Sequence, residues 1–240
     1  MVEQESSSQP IIEASSIDKF YRTASDTVHA LRSVSLQVQK GEIVAVMGPS
    51  GCGKTTLLNC LSGLDGIDAG DVQINGQSLS ELTDDELSEY RARSMGFVFQ
   101  TFNLLPVLSA QENVELPLLV AGVSSKKASI IALEKLDQVG VVDWAHHKPA
   151  ALSGGQRQRV AVARALANEP AIVWADEPTG NLDTDNEREI MGLITQLNRD
   201  NQQTFVLVTH SDDVAKSARR IVRMRDGEII EDAQRTQAAD

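Results

Sequence analysis

Hydrophobic and polar positions along the chain follow two different periodicities, which predict strands and helices in alternation. Three short segments near the N-terminus have the pattern of strands bounded by turn-forming residues, at 11–17, 33–38 and 70–76. A further segment, 41–48, is apolar on both faces and ends at a glycine, as a buried strand does. We therefore expect an antiparallel sheet that flanks a parallel one.

The middle of the chain has the periodicity of helices. Thr83 and, three residues later, Glu86 form a capping-box pattern that predicts a helix start at residue 84. Helical patterns then dominate residues 110–168, apart from loops near two prolines. The sequence therefore predicts an α-helical subdomain over about 84–165, inserted into the rest of the fold.

Strand and helix patterns alternate again in the last third of the chain. The predicted strands cover 171–177, 204–210 and 220–230, the last as two strands joined by a turn, and the predicted helices cover 184–199 and 211–218. This alternation is typical of a parallel sheet with helices on its faces. The fold class that we predict is α/β: a mainly parallel sheet with a flanking antiparallel β-subdomain and an inserted α-helical subdomain.

Length and composition narrow the class of protein. A chain of 240 residues that is 41% hydrophobic can bury one core, so we expect one domain over 11–231, with disordered polar tails at 1–10 and 232–240. A formal net charge of −12 disfavours nucleic acid as a partner. The N-terminus lacks the basic and apolar regions of a secretion signal, which predicts a cytoplasmic protein.

The cysteines and the longest apolar stretch agree with that location. Cys52 and Cys60 lie eight residues apart along a predicted helix, about 12 Å at 1.5 Å per residue, which is too far for a disulfide. The stretch 114–123 contains Glu115 and Pro117 and is shorter than the roughly 20 residues of a membrane-spanning helix. We therefore expect that the chain does not cross a membrane by itself.

The strongest motif is GPSGCGKTT, which lies between the buried strand and an apolar helix. It fits the phosphate-loop pattern G-x-x-x-x-G-K-[ST], in which glycines let successive backbone N–H groups face phosphate oxygens. Lys54 is expected to span the β- and γ-phosphates of a nucleotide, Thr55 to bind Mg²⁺, and Thr56 to lie near the α-phosphate. Cys52 is interpreted as a small filler. The motif comprises Gly48, Pro49, Ser50, Gly51, Cys52, Gly53, Lys54, Thr55 and Thr56.

A pair of carboxylates ends the apolar strand AIVWADE. Ligands of open parallel sheets bind at the carboxyl ends of the strands, so we expect Asp176 and Glu177 beside the phosphate loop. Asp176 is suited to hold Mg²⁺, and Glu177 is suited to polarise the water that attacks the γ-phosphate. The alternative for an Asp-Glu pair on its own is a helix cap or a turn cap.

Two polar residues follow strands in the same region, Gln100 after MGFVF and His210 after FVLVT. The Gln100 amide is suited to contact the metal or the attacking water, and His210 to donate a hydrogen bond to the γ-phosphate. The alternative for both residues is a solvated strand end.

The motif LSGGQ raises the question of a second helix start that is suited to phosphate. Its polar part consists of Ser153, Gly154, Gly155 and Gln156. If strand 171–175 lies beside strand 43–47, the phosphate loop binds its own nucleotide and LSGGQ lies away from it. The second helix start then covers the γ-phosphate of another copy in a two-fold, head-to-tail dimer. The alternative is a plain N-cap by the serine, which leaves the two glycines unexplained.

Over about 11–231 the chain resembles the nucleotide-binding subunits of ATP-binding cassette (ABC) transporters. The resemblance rests, in chain order, on the phosphate loop, Gln100, LSGGQ, VWADE, NLD and His210. The resemblance implies a P-loop ATPase that uses ATP and Mg²⁺, pairs with a second such subunit, and drives integral membrane permease subunits from the cytoplasmic face of the inner or plasma membrane. It also implies that Tyr21, next to the competing candidate Phe20, stacks on adenine. Asp183 would lie in the loop that joins the two active sites.

Three longer runs, DEPTGNLD, VHALRSVSL and GFVFQTFNLLPVLSAQENVELPL, resemble the branch of lipoprotein-release, macrolide-exporter and cell-division ATPases. That branch implies export or extraction of a lipoprotein, peptide or drug. An amino-acid-type importer subunit and a soluble ABC ATPase remain alternatives. The chain ends soon after RDGEII, so we expect the permease to be a separate chain.

The apolar stretch 101–108 directly follows Gln100. One interpretation is a hydrophobic groove that receives a short helix of the permease. The alternative is simple packing inside the helical block. The candidate contact residues are Phe102, Leu104, Leu105 and Val107.

Overall fold

The computed structural model describes residues 9–23 and 26–234. Its strands are β1 (Ile12–Arg22), β2 (Thr27–Val38), β3 (Ile43–Met47), β4 (Ala69–Ile74), β5 (Gln77–Ser78), β6 (Met95–Phe99), β7 (Ile172–Asp176), β8 (Thr204–Thr209), β9 (Arg220–Arg225) and β10 (Glu228–Gln234). Its α-helices are α1 (Lys54–Leu61), α2 (Asp84–Ser94), α3 (Ala110–Val120), α4 (Ser125–Gln138), α5 (Gly154–Leu166), α6 (Thr184–Asn201) and α7 (Asp212–Lys216).

Two sheets form, as the periodicity predicts. The smaller sheet has four antiparallel strands in the order β2-β1-β4-β5. The larger sheet has six strands in the order β10-β9-β3-β8-β7-β6, in which β10 is antiparallel to β9 and the other neighbours are parallel. The prediction of an antiparallel sheet beside a mainly parallel one is confirmed.

The larger sheet separates two hydrophobic clusters, because side chains of successive strand residues point to opposite faces. Val44 and Val46 of β3 pack with α1 and the antiparallel sheet on one face. Ala45 and Met47 pack with helices α3 to α7 on the other face. Burial on both faces explains why β3, β7 and β8 are almost wholly apolar.

The expectation that strands 43–47 and 171–175 are direct neighbours in the sheet is wrong. Strand β8 lies between β3 and β7 and pairs with both, through Val44 with Val206 and Trp174 with Val206. Local apolar patterns are the same for three equally buried strands, so they do not specify which strand is central. The carboxyl ends of all three strands still meet at one edge of the sheet.

The block 84–165 is not one continuous helical unit. Helix α2 starts with the predicted capping box of Thr83 and Glu86, and it packs Leu87 and Tyr90 against the cluster beneath the antiparallel sheet. Strand β6 then returns to the large sheet beside β7. Within this block, α3, α4 and α5 pack against one another on the opposite face, so the helical subdomain proper begins near residue 110.

Strand pairing also extends the ordered part of the C-terminus. Asp232 pairs with Val222 and Gln234 with Arg220, so the domain continues three residues beyond the predicted boundary at 231. The rest of the two predicted tails, 1–8 and 235–240, lies outside the described residues. Among the helices that the structure describes, none has the length and the hydropathy that crossing a membrane requires.

Candidate active site

The phosphate loop connects β3 to α1 and depends on glycine at two close approaches. Gly53, the N-cap of α1, has φ 104°, and a Cβ there would lie 2.7 Å from the carbonyl oxygen of Ala30. A Cβ at Gly48 would overlap the carbonyl oxygen of Met224. Cys52 is buried in the core beneath the loop, which agrees with its interpretation as a filler. These contacts fix the curled backbone whose N–H groups can face an anion.

Lys54 is the first residue of α1, and its side chain reaches back to the phosphate loop. Its side chain is only 8% exposed, and its ammonium donates to the carbonyl oxygens of Gly48 (2.8 Å) and Pro49 (3.0 Å). A buried ammonium that bonds only neutral carbonyls gains from a phosphate oxygen, because charge-assisted hydrogen bonds are the stronger ones. The loop therefore holds a cation ready for an anionic ligand.

A hydroxyl and a carboxylate converge beside the lysine. The Thr55 hydroxyl, on the first turn of α1, lies 3.2 Å from both carboxylate oxygens of Asp176 at the end of β7. Burial raises the pKa of Asp176, the Thr55 hydrogen bond lowers it, and the neighbouring charge of Glu177 raises it again, for a net increase. A partly desolvated carboxylate beside a hydroxyl suits Mg²⁺, which takes one or two protein oxygens and completes its shell with phosphates and water. Thr55 and Asp176 therefore fit the predicted magnesium site.

Glu177 and His210 form a second pair at the same edge. The Glu177 Oε1 atom lies 2.8 Å from His210 Nδ1. Glu177 has a left-handed backbone conformation (φ 48°), and its N–H donates to the carbonyl of Val208 on the central strand. Its side chain is 18% exposed, whereas the histidine is 69% exposed. The structure thus brings together the predicted base and the predicted phosphate donor.

Gln100 lies farther along the same edge, next to the turn that follows Glu177. Its carbonyl accepts from Asn181 (2.9 Å), and its amide packs against Gly180. Gly180 closes the turn by donating to the Glu177 carbonyl (3.1 Å). The described residues give Gln100 no hydrogen bond to Thr55 or Asp176, so its role as a metal ligand stays a prediction.

A cleft of about 540 Å³ opens above the phosphate loop, and its lining includes Tyr21, Ser50, Thr56 and Glu177. Tyr21 is 40% exposed in this cleft. Phe20 does not line it, and its ring stacks on His29 with centroids 4.1 Å apart. The geometry favours Tyr21 over Phe20 as the aromatic residue for a base.

The LSGGQ motif lies outside this cleft, at the start of α5. Ser153 is its N-cap: the hydroxyl accepts from the Gln156 N–H (3.2 Å), and Gln156 Oε1 accepts from the Ser153 N–H (2.8 Å). The glycines also have an intramolecular cause. A Cβ at Gly155 would overlap the side-chain oxygen of Asn186, and one at Gly154 would lie 3.3 Å from Leu182. The motif's glycines therefore do more than leave N–H groups unobstructed.

Asp183 lies on the other side of that contact, where it caps α6. Its carboxylate accepts from the backbone N–H of Asn186 (2.9 Å) and from the Asn186 side chain (3.0 and 2.9 Å). Asn186 in turn packs on Gly155. Asp183 and the LSGGQ motif are thus connected through Asn186 within one subunit.

Two arginines of α5 hold the loop after Gln100, and sequence reasoning missed both. Arg164 is half-buried, and the partial loss of water around its guanidinium lowers its pKa; it donates to the carbonyls of Phe102 (2.8 Å) and Asn103. Arg157 places its guanidinium 5.2 Å from the centroid of the Phe102 ring. Both loop residues have positive φ, at 60° and 49°. The signal in the sequence was the set of arginines in the helix that follows LSGGQ.

The stretch 101–108 divides between core and surface. Leu104 is partly buried and packs against the hydrophobic core, as the alternative of simple packing predicts, and Phe102 is half-buried under Arg157. The contact of the four apolar residues with a permease stays a prediction. Leu105 and Val107 are 43% and 72% exposed. The buried amide of Asn113 fixes the turn by bonding the N–H and carbonyl of Leu105 (2.7 and 3.2 Å).

An apolar groove of about 410 Å³ lies beside that loop, between β6 and helix α3. Phe97 and Phe99, whose rings stack 6.1 Å apart, form part of its lining. Val120 on the opposite side is 69% exposed. Arg164 reaches the groove as well, which links it to the loop after Gln100.

Comparison with known proteins agrees with this geometry. The family profile described as ABC transporter matches residues 31–180. A lipoprotein-releasing system ATP-binding protein, LolD, from Bacteroides thetaiotaomicron is 50% identical over 86% of this chain and 94% of its own length. An uncharacterized ABC transporter ATP-binding protein, YknY, from Bacillus subtilis is 46% identical over 92% and 95%. The macrolide export ATP-binding/permease protein MacB from Marinobacter nauticus is 45% identical over 94% of this chain, which spans only 35% of MacB.

The solved structures extend the likeness to three dimensions. A dimeric ATP-binding cassette in a post-hydrolysis state, bound to ADP and Pi, superposes with a TM-score of 0.86 and 43% identity, over 93% of this chain and 98% of that one. A second dimeric structure of a bacterial ABC transporter cassette gives a TM-score of 0.86 with 44% identity. With a phosphate loop, paired carboxylates and an LSGGQ helix arranged on this fold, the chain belongs to the ABC transporter family, as an ATP-binding subunit.

Proposed function

We propose that this subunit hydrolyses ATP with Mg²⁺ in the cleft above the phosphate loop and thereby drives a separate membrane permease. The observation that carries the proposal is the meeting of two residue pairs at one sheet edge, Thr55 with Asp176 and Glu177 with His210. One pair supplies oxygen ligands for a metal, and the other supplies a base and a donor. Both lie beside the loop that can bind phosphates.

Nucleotide binding uses the loop and the aromatic wall of the cleft. The triphosphate lies against the N–H groups between Gly48 and Thr56, and Lys54 exchanges its carbonyl partners for β- and γ-phosphate oxygens. Adenine stacks on the exposed ring of Tyr21. Ser50 and Gly51 are exposed at the tip of the loop, where backbone N–H groups reach the ligand without rearrangement.

Thr55 and Asp176 are the residues that hold Mg²⁺, and the Gln100 amide is a third candidate ligand. Once bound, the metal neutralises the charge that develops on the β- and γ-phosphates. The net rise in the pKa of Asp176 supports this assignment, since a nearby cation stabilises a carboxylate that burial and Glu177 destabilise.

Hydrolysis uses Glu177 to polarise the attacking water and His210 to contact the γ-phosphate. With Nδ1 bonded to the Glu177 carboxylate, the ring donates Nδ1–H, and its free Nε2 becomes a donor only in the imidazolium form. The 2.8 Å contact thus aligns the base and the donor together. Separation of the pair would free the carboxylate for the water and the ring for the phosphate.

Two subunits complete each site. Ser153 and the following glycines lie outside the cleft of their own subunit, which supports a head-to-tail dimer in which they cover the partner's γ-phosphate. The dimeric cassettes with 43% and 44% identity support the same arrangement. Asp183, joined to Gly155 through Asn186, lies where the two sites communicate.

The permease binds at the apolar groove between β6 and α3, as a short amphipathic helix on the exposed side chain of Val120. Leu105 is exposed on the loop whose Asn103 lines the groove, and it extends the contact along that loop. Arg164 connects this groove to the loop after Gln100, so groove and nucleotide site are physically continuous. The names of the relatives, lipoprotein-releasing and macrolide export proteins, support export or extraction of a lipoprotein, peptide or drug, driven by this subunit at the cytoplasmic face of the membrane.

The test is to capture the subunit from gently solubilised membranes, identify the copurifying permease, and reconstitute both in vesicles. We expect the permease to copurify and ATP hydrolysis to accompany outward movement or extraction of a lipid-anchored or amphiphilic substrate. Uptake in the opposite direction would indicate an importer subunit. Recovery of the ATPase without any membrane protein would contradict the proposal in favour of a soluble ATPase.

A further inference from the structure

A polar network surrounds the hydroxyl group of Tyr21 at the edge of the nucleotide cleft. The Tyr21 hydroxyl donates to Asp65 Oδ2 at 2.8 Å. The Lys19 ammonium donates to the other oxygen of the same carboxylate at 2.6 Å, and to the carbonyl of Gly66 at 2.6 Å. The Asp65 carboxylate is therefore shared between a phenol and an ammonium. Sequence reasoning assigned no role to Asp65 or Lys19.

The network restrains the aromatic ring as well as its hydroxyl. The Lys19 ammonium lies 5.1 Å from the centroid of the Tyr21 ring, within the range of a cation–π contact. Burial and then the Asp65 carboxylate raise the pKa of Tyr21, while the Thr56 hydroxyl acts in the opposite direction. Thr56 belongs to the phosphate loop and lines the same cleft as Tyr21, whereas Asp65 belongs to the 62–66 turn. The orientation of the Tyr21 ring is set by Lys19 of β1 and by Asp65 of that turn.

Holding strand β1 in place does not require Asp65. The neighbouring Asp68 already fixes the strand: its carboxylate accepts from the Phe20 N–H (2.7 Å), and its own N–H donates to the Asp18 carbonyl (2.8 Å). Asp65 instead bonds two side chains, Lys19 and Tyr21. Its contacts act on the ring that faces the cleft rather than on the backbone that carries it.

We infer that Asp65, with Lys19, is a positioning residue for nucleotide binding: it holds the Tyr21 ring in the orientation that receives the base. A ring that is already oriented loses less conformational entropy when it stacks, so preorganisation strengthens binding. The effect belongs to ground-state affinity, because the base takes no part in the chemical step. The inference rests on the proposed stacking of adenine on Tyr21.

The experiment compares Asp65→Asn, Tyr21→Phe and the double variant in steady-state ATP hydrolysis, with melting temperature as a check on folding. Asp65→Asn keeps the shape but removes the charge that both partners use. We expect its KM for ATP to rise roughly threefold to tenfold, with kcat within about twofold of the unchanged protein. Tyr21→Phe, which loses the donor, should give a similar rise, and the double variant should be no worse than either single variant.

The matched control is Asp68→Asn, a carboxylate three residues after Asp65 in the connection between α1 and β4, which bonds the Phe20 N–H rather than Tyr21. Its oxygen can still accept from the Phe20 N–H, so KM should stay unchanged. A second readout uses a Tyr90→Phe background, in which Tyr21 is the only tyrosine of the 240-residue chain. There, absorbance titration should show that Asp65→Asn lowers the pKa of Tyr21 and that Asp68→Asn does not.

Tyr21→Ala distinguishes an error in the proposed adenine site from an error in the positioning role of Asp65. If Tyr21→Ala leaves KM for ATP unchanged, adenine does not stack there and the proposed base site is wrong. If Tyr21→Ala raises KM but Asp65→Asn and Tyr21→Phe do not, the stacking is right and the positioning role of Asp65 is overturned. A fall in kcat without a change in KM, or equal effects of Asp65→Asn and Asp68→Asn, would also overturn it.

Discussion

Gly155, in the first turn of α5, lies so close to Asn186, in the first turn of α6, that a Cβ at position 155 would overlap the Asn186 side-chain oxygen. The asparagine cannot easily withdraw, because the Asp183 carboxylate accepts from both its backbone and its side chain. The start of the LSGGQ helix and the start of the helix after Asp183 therefore pack as one unit. A small residue is needed at 155 for reasons internal to the subunit.

Gly155→Ala should destabilise the fold, because the added methyl group must displace Asn186 or α6. We expect a net loss of about 1–3 kcal/mol in the free energy of unfolding, measured by denaturant titration, together with lower ATPase activity. The matched variant Gly154→Ala meets only the flexible end of Leu182 at 3.3 Å and gains helix propensity, so it should be nearly neutral. Adding Asn186→Ala to Gly155→Ala should restore stability. Equal stability of the two alanine variants would contradict the packing argument.

Lys54→Ala should abolish productive nucleotide binding. The loop then loses the buried ammonium that bonds the carbonyls of Gly48 and Pro49, and the remaining binding groups are neutral N–H dipoles. Calorimetric titration with MgATP measures the loss, and the melting temperature checks that the loop still folds. Unchanged ATP turnover would rule out the phosphate-loop assignment.

Glu177→Gln should separate binding from hydrolysis. The substitution keeps the size of the side chain and leaves the contact between Thr55 and Asp176 intact, so ATP and Mg²⁺ still bind. Without the carboxylate base we expect kcat to fall by roughly 10²- to 10⁴-fold, and dimers to accumulate in ATP. Size-exclusion chromatography with and without ATP measures the second effect. Hydrolysis near the normal rate would mean that another group polarises the water.

Ser153→Arg tests whether the two sites are shared. The arginine should block entry of the partner's γ-phosphate, so hydrolysis falls while each monomer still binds ATP. Mixing this variant with Lys54→Ala subunits makes heterodimers in which one composite site is intact and the other carries both lesions. Some hydrolysis should return, provided that one intact site suffices. A mixture no more active than either variant alone would count against sharing, or would show that both sites must work.

Leu105→Glu should weaken association with the permease without unfolding the subunit, since Leu105 is 43% exposed on the loop whose Asn103 lines the apolar groove. Copurification with the permease, melting temperature and ATP binding are measured together. Ile230→Glu is the control, because Ile230 is 52% exposed on β10, at the sheet edge opposite β6. If Leu105→Glu stays folded and still copurifies normally, the permease binds elsewhere.

The sequence predicted most elements of the fold because local periodicity and burial agree in them. Strands β3, β7 and β8 are buried on both faces, and the capping box of Thr83 and Glu86 forms as expected. The lateral order of the strands could not be predicted, because equally apolar strands carry no local mark of their neighbours. The position of Asp176 near Thr55 survived that error, since the carboxyl ends of parallel strands share one edge.

Sequence reasoning predicted the parts of the candidate site whose backbone shape is determined by a local motif. It missed the residues whose role depends on a contact with a residue far away in sequence. The phosphate loop is a local backbone structure that its glycines determine. Gly155 depends on Asn186, 31 positions later in the sequence, and Leu104 is apolar whether it packs inward or faces a partner. Asp65 and Arg164 act through side chains that meet only after folding.

The arginine contacts of α5 also have a mechanical consequence. Phe102 and Asn103 come soon after strand β6 and Gln100 in sequence. Because Arg164 of α5 donates to both of their carbonyls, they would move together with α5. Gln100 stays with the sheet edge through Asn181. Thr101 therefore connects a residue that is fixed to the sheet edge with residues that are fixed to α5. The Phe102 N–H donates to the Phe99 carbonyl (3.1 Å), so this hydrogen bond spans the connection. Any displacement of α5 relative to the sheet edge would therefore strain the Thr101 connection before it reached Gln100.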